Sequence, residues 1–440
     1  MNLRIPFFSS LTILLAAGSA WAQASADGPS VQVAIGYSGL PQRSPSQQSG
    51  VQVSDETLLH IGVGAEVGYD SNVFYSKDDP RGSATTRIVP FLELTNASRT
   101  GAAPSNVFFD LGASLTYREY LNNDPAIKSQ RAFMPSVFGN LDISRNQEIS
   151  FGIIEGFSRT EDPPYVEDQE PITRDVNQAS ARLRWAPGGG RLAEVLTYTN
   201  TLDLFEHDPL KVANSMSHLL TLDSSWKWLP KTALVLQISQ GYTSYLNTNA
   251  AGERKASSLP LHVMAGVRGL ITAKLSVNLL VGYGNGFYDT IHASTAGAGA
   301  FTVGADLNYR PTILTSIGLG YRRDFQNAVL GDFYYVDAVY LNVGQAIAGR
   351  LGFGLTARYE SRSFQNIPLT IDPNGPVTSR HDNYFQVGAN LDYHIREWTY
   401  AGVAYMVMDN SSDYVPPNMM APGVVDYVKH LVFARLGVTY

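Results

Sequence analysis

Apolar and polar residues alternate one by one along most of this chain, and a period of two is the signature of extended strands, whose successive side chains point to opposite faces. Leu59, Ile61, Val63, Ala65, Val67 and Tyr69 alternate with His60, Gly62, Gly64, Glu66 and Gly68. The same pattern returns at Phe301–Tyr309, Leu351–Tyr359 and Phe385–Tyr393, each time with an apolar face that ends in an aromatic. The polar face carries full charges in mid-strand. A soluble sandwich turns such a face to solvent. A membrane barrel turns it to a watery lumen and gives the apolar face to lipid, in a band about 25 Å tall closed by aromatic girdles. The repetition of the aromatic-terminated face favours the barrel.

Eighteen such segments are expected, from 57–70 and 85–97 through 129–143, 174–186, 350–364, 380–395 and 398–410 to 426–440. Tight links, such as Pro187-Gly-Gly-Gly190 and Pro311-Thr312, alternate with longer polar ones, such as 161–173 and 365–379. An even strand count with short turns at one end and long loops at the other is the outer-membrane arrangement, with the short turns periplasmic. The fold expected is all-β: a transmembrane antiparallel up-and-down β-barrel of about 18 strands.

Domain organisation follows from the first residues. Arg4, the apolar run 7–17 and Ala20-Trp21-Ala22 stand in the order of a secretory signal, so residues 1–22 are read as a signal peptide. Residues 23–56, rich in Ser, Gln, Gly and Pro, read as a flexible periplasmic lead-in, and 57–440 as the barrel. The compartment implied is the outer membrane of a Gram-negative bacterium. The final strand closes on Tyr440, which is read as the signal for the barrel-assembly machinery.

Charge narrows the function. A net charge of -7 argues against a nucleic-acid partner. The absence of cysteine removes disulfide scaffolds, thiol nucleophiles and cysteine zinc sites. By alternation, Arg118, Arg182, Arg184, Arg268, Arg310, Arg322, Arg358, Arg362 and Arg435 face the lumen. So do Glu66, Glu93, Asp110, Asp223, Asp306, Glu360 and Asp392. Of the 32 basic side chains only 8 are Lys, an arginine skew that suits carboxylate and phosphate groups. Two readings stand: a path for anionic or uronate-bearing solutes, or cross-strand pairs that stiffen the wall. Most of the 24 Tyr are expected in the girdles. Loops 365–379 and 411–425 are candidates for narrowing the pore. No catalytic or cofactor motif is present, and no metal site is expected. His381 with Asp382, at a strand end, is the best candidate for chemistry, and a solvated pair is the better reading. The acidic pairs Asp78-Asp79 and Glu161-Asp162, placed in loops, are candidates for holding a cation, and solvated loop charge is the better reading for both.

The first strand and its exit read Glu66-Val-Gly-Tyr69-Asp70-Ser71-Asn72-Val73-Phe74. This step resembles the opening signature of a second family of outer-membrane β-barrel porins associated with exopolysaccharide, carried here by Tyr69, Asp70, Ser71, Asn72 and Val73. The resemblance implies export of an exopolysaccharide or capsular polymer, with outer-membrane lipid and a separate periplasmic export scaffold as partners. It supplies no catalytic residues and no cofactor. Read from the residues alone, Asp70-Ser71-Asn72 is a strand-ending turn. A general diffusion porin for small solutes needs the same barrel and stays open as the alternative.

Overall fold

The computed structural model describes residues 50–54, 57–96, 106–145, 147–162, 172–206, 208–249, 252, 254–289, 299–329, 331–368, 377–414 and 425–440. The signal segment 1–22, most of 23–56 and the centres of loops 365–379 and 411–425 lie outside them.

A short strand β1 (Val51–Ser54) precedes β2 (Thr57–Asp70), β3 (Ser83–Thr95), β4 (Val107–Tyr120), β5 (Ala132–Ile143), β6 (Ile149–Asp162) and β7 (Ile172–Trp185). Then follow β8 (Leu192–Phe205), β9 (Ser215–Leu229), β10 (Thr232–Tyr245), β11 (Leu261–Thr272), β12 (Leu275–Asn285) and β13 (Gly299–Thr312). The last are β14 (Thr315–Asn327), β15 (Phe333–Ile347), β16 (Leu351–Pro368), β17 (Val377–Arg396), β18 (Thr399–Ser412) and β19 (Tyr427–Thr439). Each strand from β2 to β19 pairs antiparallel with its sequence neighbour, and β19 pairs with β2 from Leu431↔Asp70 to Thr439↔Gly62. The result is a closed barrel of 18 strands. Closure is what a spanning sheet needs, because hydrocarbon offers no partner to an open edge. No helix among the described residues is long and apolar enough to cross a membrane.

The seam continues below the end of β19. Ile61 and Tyr440 exchange both backbone bonds, at 2.9 and 2.8 Å. Beyond them β1 takes up the free edge of β2, with Val51 opposite Leu59. This part of the segment read as a flexible lead-in is therefore strand.

Side-chain exposure follows the alternation. On β2, Ile61, Val63, Val67 and Tyr69 are exposed on the outside while Gly64 and Asp70 are buried inside. The outer face is Leu, Val, Ile and Ala at mid-height. Trp185, Trp226, Trp228 and Trp398 ring it near the short turns, and Tyr69, Tyr198, Tyr283, Tyr359 and Tyr405 near the long loops. Exposed apolar surface of this extent is stable only against lipid. The short turns rely on residues that tolerate a left-handed backbone: Gly188, Gly189 and Gly190 have φ of 60°, 72° and 73°.

Many tyrosines are not girdle residues. Tyr75, Tyr120, Tyr334, Tyr384, Tyr400 and Tyr427 are buried in the interior. All but Tyr75, which lies in the loop after β2, share the inward parity of the charged residues, so amphipathic phenols line the wall together with the arginines.

Candidate functional site

The site is the barrel interior. The register places Glu66, Glu93, Arg118, Arg182, Arg184, Arg268, Asp306, Arg310, Arg322, Arg358, Glu360, Arg362, Asp392 and Arg435 on strand faces that turn inward; Arg435, for instance, is opposite Glu66, and Arg358 opposite Gln386. Asp110 and Asp223 share that side. Their engagements divide by height.

In the half near the long loops, most are consumed by ion pairs. Glu360 is shared by Arg358 and Arg362, with Nε–Oε distances of 2.6 and 2.8 Å. Arg435 and Asp392, by contrast, lie four residues from the short-turn ends of β19 and β17 and are paired there, Nε to Oδ1 at 2.8 Å. Arg118 meets Glu161 at 2.6 Å. Glu161 thus sits at the end of strand β6 and is neutralised by a guanidinium, so the loop cation site considered for it is not formed. Arg380 with Asp382, Arg174 with Asp203 and Lys429 with Asp70 add three buried pairs at inward positions near strand ends. Alternation within the expected segments already gives these basic residues inward parity, but the sequence reading did not name them. The guanidinium of Arg362 also stacks on Tyr384 at 5.0 Å, and that of Arg380 on Phe364 at 4.7 Å.

His381 and Asp382 do not form a pair. Adjacent strand residues point to opposite faces. His381 is exposed outside between Ser361 and Ser363, while Asp382 is fully buried inside on Arg380.

The Tyr69–Val73 step is more than a turn. Asp70 is buried and accepts from Lys429 Nζ at 2.9 Å, Tyr120 OH at 3.0 Å and the Asn72 N–H at 3.0 Å. The Ser71 N–H donates to the His430 carbonyl at 3.0 Å, and the Ser71 hydroxyl accepts the His430 N–H at 2.8 Å. Asn72 donates to the carbonyls of Ser76 and Val428 at 2.7 and 3.1 Å and accepts the Ser76 N–H at 2.9 Å. The motif therefore stitches the first barrel strand to the last. Beyond it the chain turns inward. Val73 and Phe74 are buried against Tyr120 and Ile127. Tyr75 joins Tyr384, Met406, Met408, Tyr427, Leu431 and Phe433 in an apolar cluster inside the barrel. Lys429 Nζ lies 3.8 Å from the centre of the Tyr75 ring. Burial pushes the Tyr75 hydroxyl well above its ordinary pKa. The signal for this was the apolar run Val73-Phe74-Tyr75 inside an otherwise polar loop.

A second segment closes from the other side. Val329, between β14 and β15, packs with Ile172, Phe205, Leu210 and Ala213 near β7 and β8. β7 and β14 are seven strands apart in a ring of 18, so this contact crosses the lumen. Lys255 holds the crossing chain by donating to the carbonyls of Ala328 and Val329. Tyr288 OH and Ser258 Oγ donate to Asn327 at 2.6 and 3.3 Å. A recess lined by Arg174, Thr243, Tyr245, His262 and Asn327 remains beneath it. The narrowing segments described are thus those after β2 and β14. Of the two loops expected to narrow the pore, only the flanks are described, and Ile367, Tyr414 and Val425 are buried together there.

Near the short turns the interior is open. Arg268, Asn308, Arg310 and Asn342 are inward-facing and exposed. Arg184 and Arg310 make no ion pair with a described residue, and Arg268 reaches Asp223 only at 3.3 Å. Arg182 bonds Asp142 at 2.6 Å, and Asp306 accepts from Asn278 at 3.1 Å.

A closed barrel, an apolar outer belt and aromatic rings at both ends are now established. The chain is an outer-membrane β-barrel. No family model matches it, and no curated protein matches it. Solved structures similar to it include a mutant of the ferric enterobactin receptor PfeA from Pseudomonas aeruginosa, at 9% identity, covering 87% of this chain and 80% of that one, with a TM-score of 0.43. The siderophore receptor PirA from Acinetobacter baumannii has 8% identity, coverage of 89% and 81%, and a TM-score of 0.42. The outer membrane protein opdK from Pseudomonas aeruginosa has 10% identity, coverage of 87% and 99%, and a TM-score of 0.41.

Proposed function

We propose that this barrel passes an anionic exopolysaccharide or capsular polymer outward across the outer membrane. The observation that carries the reading is the division of the lumen. Its short-turn half is hydrophilic and water-exposed, and there Arg184 and Arg310 make no ion pair with a described residue. Its long-loop half is narrowed by segments pinned through specific bonds. Weak, repeated contacts along such a wall let a charged chain enter and keep moving. The pinned segments then set how much of the mouth is free at a given moment. A separate periplasmic scaffold would deliver the polymer, and the barrel-assembly machinery would insert the barrel.

Deleting the gene tests this. Extracellular polymer is expected to fall while periplasmic polymer accumulates, and the wild-type gene returned on a plasmid is expected to restore secretion. Unchanged secretion overturns the reading.

The inward segments after β2 and β14 favour a second reading, a diffusion porin for small solutes, since such porins narrow their lumen in this way. Swelling of protein-containing liposomes in sugars of increasing size separates the two: a cutoff at small saccharides supports the diffusion porin.

A further inference from the structure

Charge is distributed unevenly between the two ends of the barrel. The described short turns and strand ends at that rim carry Arg145, Arg191, Lys231, Lys274, Arg350 and Arg396, all exposed. Glu148 and Glu397 are the acidic residues among them, in a chain whose net charge is -7. None of the six cations makes an ion pair with a described residue. Lys274 Nζ donates only to the Pro311 carbonyl, at 2.7 Å, and Arg145 only covers the Phe108 ring, at 4.8 Å. The described loops of the long-loop end are mixed instead: Asp78, Asp79, Glu206, Asp208, Asp289 and Asp413 stand among Lys77, Arg81, Lys128, Arg131, Lys211 and Lys255.

The basic rim continues inward. Lys227 is two residues from the end of β9, and Arg310 two from the end of β13. Both have inward parity: Lys227 shares its face with Asp223, and Arg310 shares its face with Asp306. Arg184 lies one residue from the end of β7, on the same side as Arg182. Membrane phosphates reach only outward side chains, so these three cannot serve lipid. A globular protein seated on the rim does not reach them either. A narrow, flexible polyanion touches the rim and the inner cations together.

We propose that the short-turn rim, with Lys227, Arg310 and Arg184 behind it, is the intake site for a linear polyanion bearing a carboxylate or phosphate on its repeating unit. This rests on the export reading and adds the residues that take the polymer in. The rim raises the local concentration of polyanion, and the inner cations pass the chain on to Arg268. A field of this kind changes capture rates by about 10-fold to 1,000-fold and is screened by salt.

The test uses the full mature protein in a planar bilayer. Because the chain has no cysteine, Asp79→Cys marks the long-loop side for a bulky thiol reagent and fixes the orientation. Polygalacturonate is added to one side at a time, with neutral dextran of equal length as the control. Blockade events are expected from the short-turn side only, rarer with added salt, and absent with dextran. Joint replacement of Lys227 and Arg310 by Gln is expected to cut the event rate by about 10-fold or more. Substitution of the six rim cations by Ser, with the inner residues intact, is expected to lower the same rate. Equal blockade from both sides, equal blockade by dextran, or variants that block like wild type overturn the proposal. If the rim variants lose only insertion into phosphatidylglycerol vesicles, the rim serves lipid. If they lose secretion in cells with blockade unchanged, it docks a protein. Either outcome overturns polymer intake. Normal secretion without the gene, alongside one-sided polygalacturonate blockade, refutes the export reading and leaves the intake site standing.

Discussion

Lys429→Met puts the seam to a quantitative test. The ammonium of Lys429 and the carboxylate of Asp70 are 2.9 Å apart, with side-chain exposures of 4% and 3%. Removing one partner of a buried pair costs about 3–5 kcal/mol, because the other charge is left in a poor solvent. Asp70 keeps the bonds from Tyr120 and Asn72, each with a net contribution of about 1 kcal/mol, so the lower end applies: about 3 kcal/mol. Methionine fills the same space and contacts the Tyr75 ring, which limits any cavity cost. The double variant Lys429→Met with Asp70→Asn removes the stranded charge and is expected to recover about 2 kcal/mol of the loss. Reversible urea unfolding in lipid vesicles, followed by the fluorescence of the girdle tryptophans, gives both values. The exposed pair Lys77–Asp426, 2.8 Å apart with Lys77 at 53% exposure, is the control, and Lys77→Met is expected to leave the midpoint unchanged. A loss below about 1 kcal/mol for Lys429→Met, or two substitutions that simply add, refutes a seam held by this pair.

Asn72→Ala removes three hydrogen bonds and is expected to cost about 2–3 kcal/mol by the same unfolding measurement, and to raise single-pore conductance as residues 73–76 leave the lumen. Alkaline pH is expected to release the same segment. Burial raises the folded pKa of Tyr75, so its stabilising contribution is complete below the unfolded value of about 10 and is lost as pH rises through the folded one. An ultraviolet titration in which Tyr75→Phe moves the transition upward checks this. Gly320→Ala drives a Cβ into the Tyr340 ring, whose hydroxyl is held by Asp306. The ring is expected to be displaced and the barrel to assemble more slowly, seen as a delayed appearance of the heat-sensitive folded band on gels.

The barrel was legible because its signal is local. Each strand repeats the same two-residue rhythm, and parity alone assigns faces. The segment 57–70 matches β2, and 426–440 differs from β19 by one residue at each end. Boundaries slipped where another structure intervenes: the segment begun at 129 starts at Ala132, because Pro125–Ser129 forms a short helix capped by Asp124. β16 and β17 run past the expected ends at 364 and 380, where their paired chain continues beyond the membrane. The interior was legible as a list of charges but not as a set of pairs. Asp70 and Lys429 are brought together only by closure of the barrel, and no periodicity records a contact of that sequence separation. The same applies to Val329 reaching Phe205 across the lumen. His381 and Asp382 show the converse: proximity in sequence suggested a pair that alternation forbids.

The central claim is that the lumen carries a long anionic chain and not only small solutes. Vesicles containing the purified barrel are loaded with fluorescent polygalacturonate and a labelled disaccharide, and efflux of both is followed in the same sample. The account predicts that polygalacturonate leaves through the wild-type barrel, and more slowly through the variant lacking Lys227 and Arg310. Release of the disaccharide with complete retention of the polymer would contradict it and assign the barrel to diffusion of small solutes.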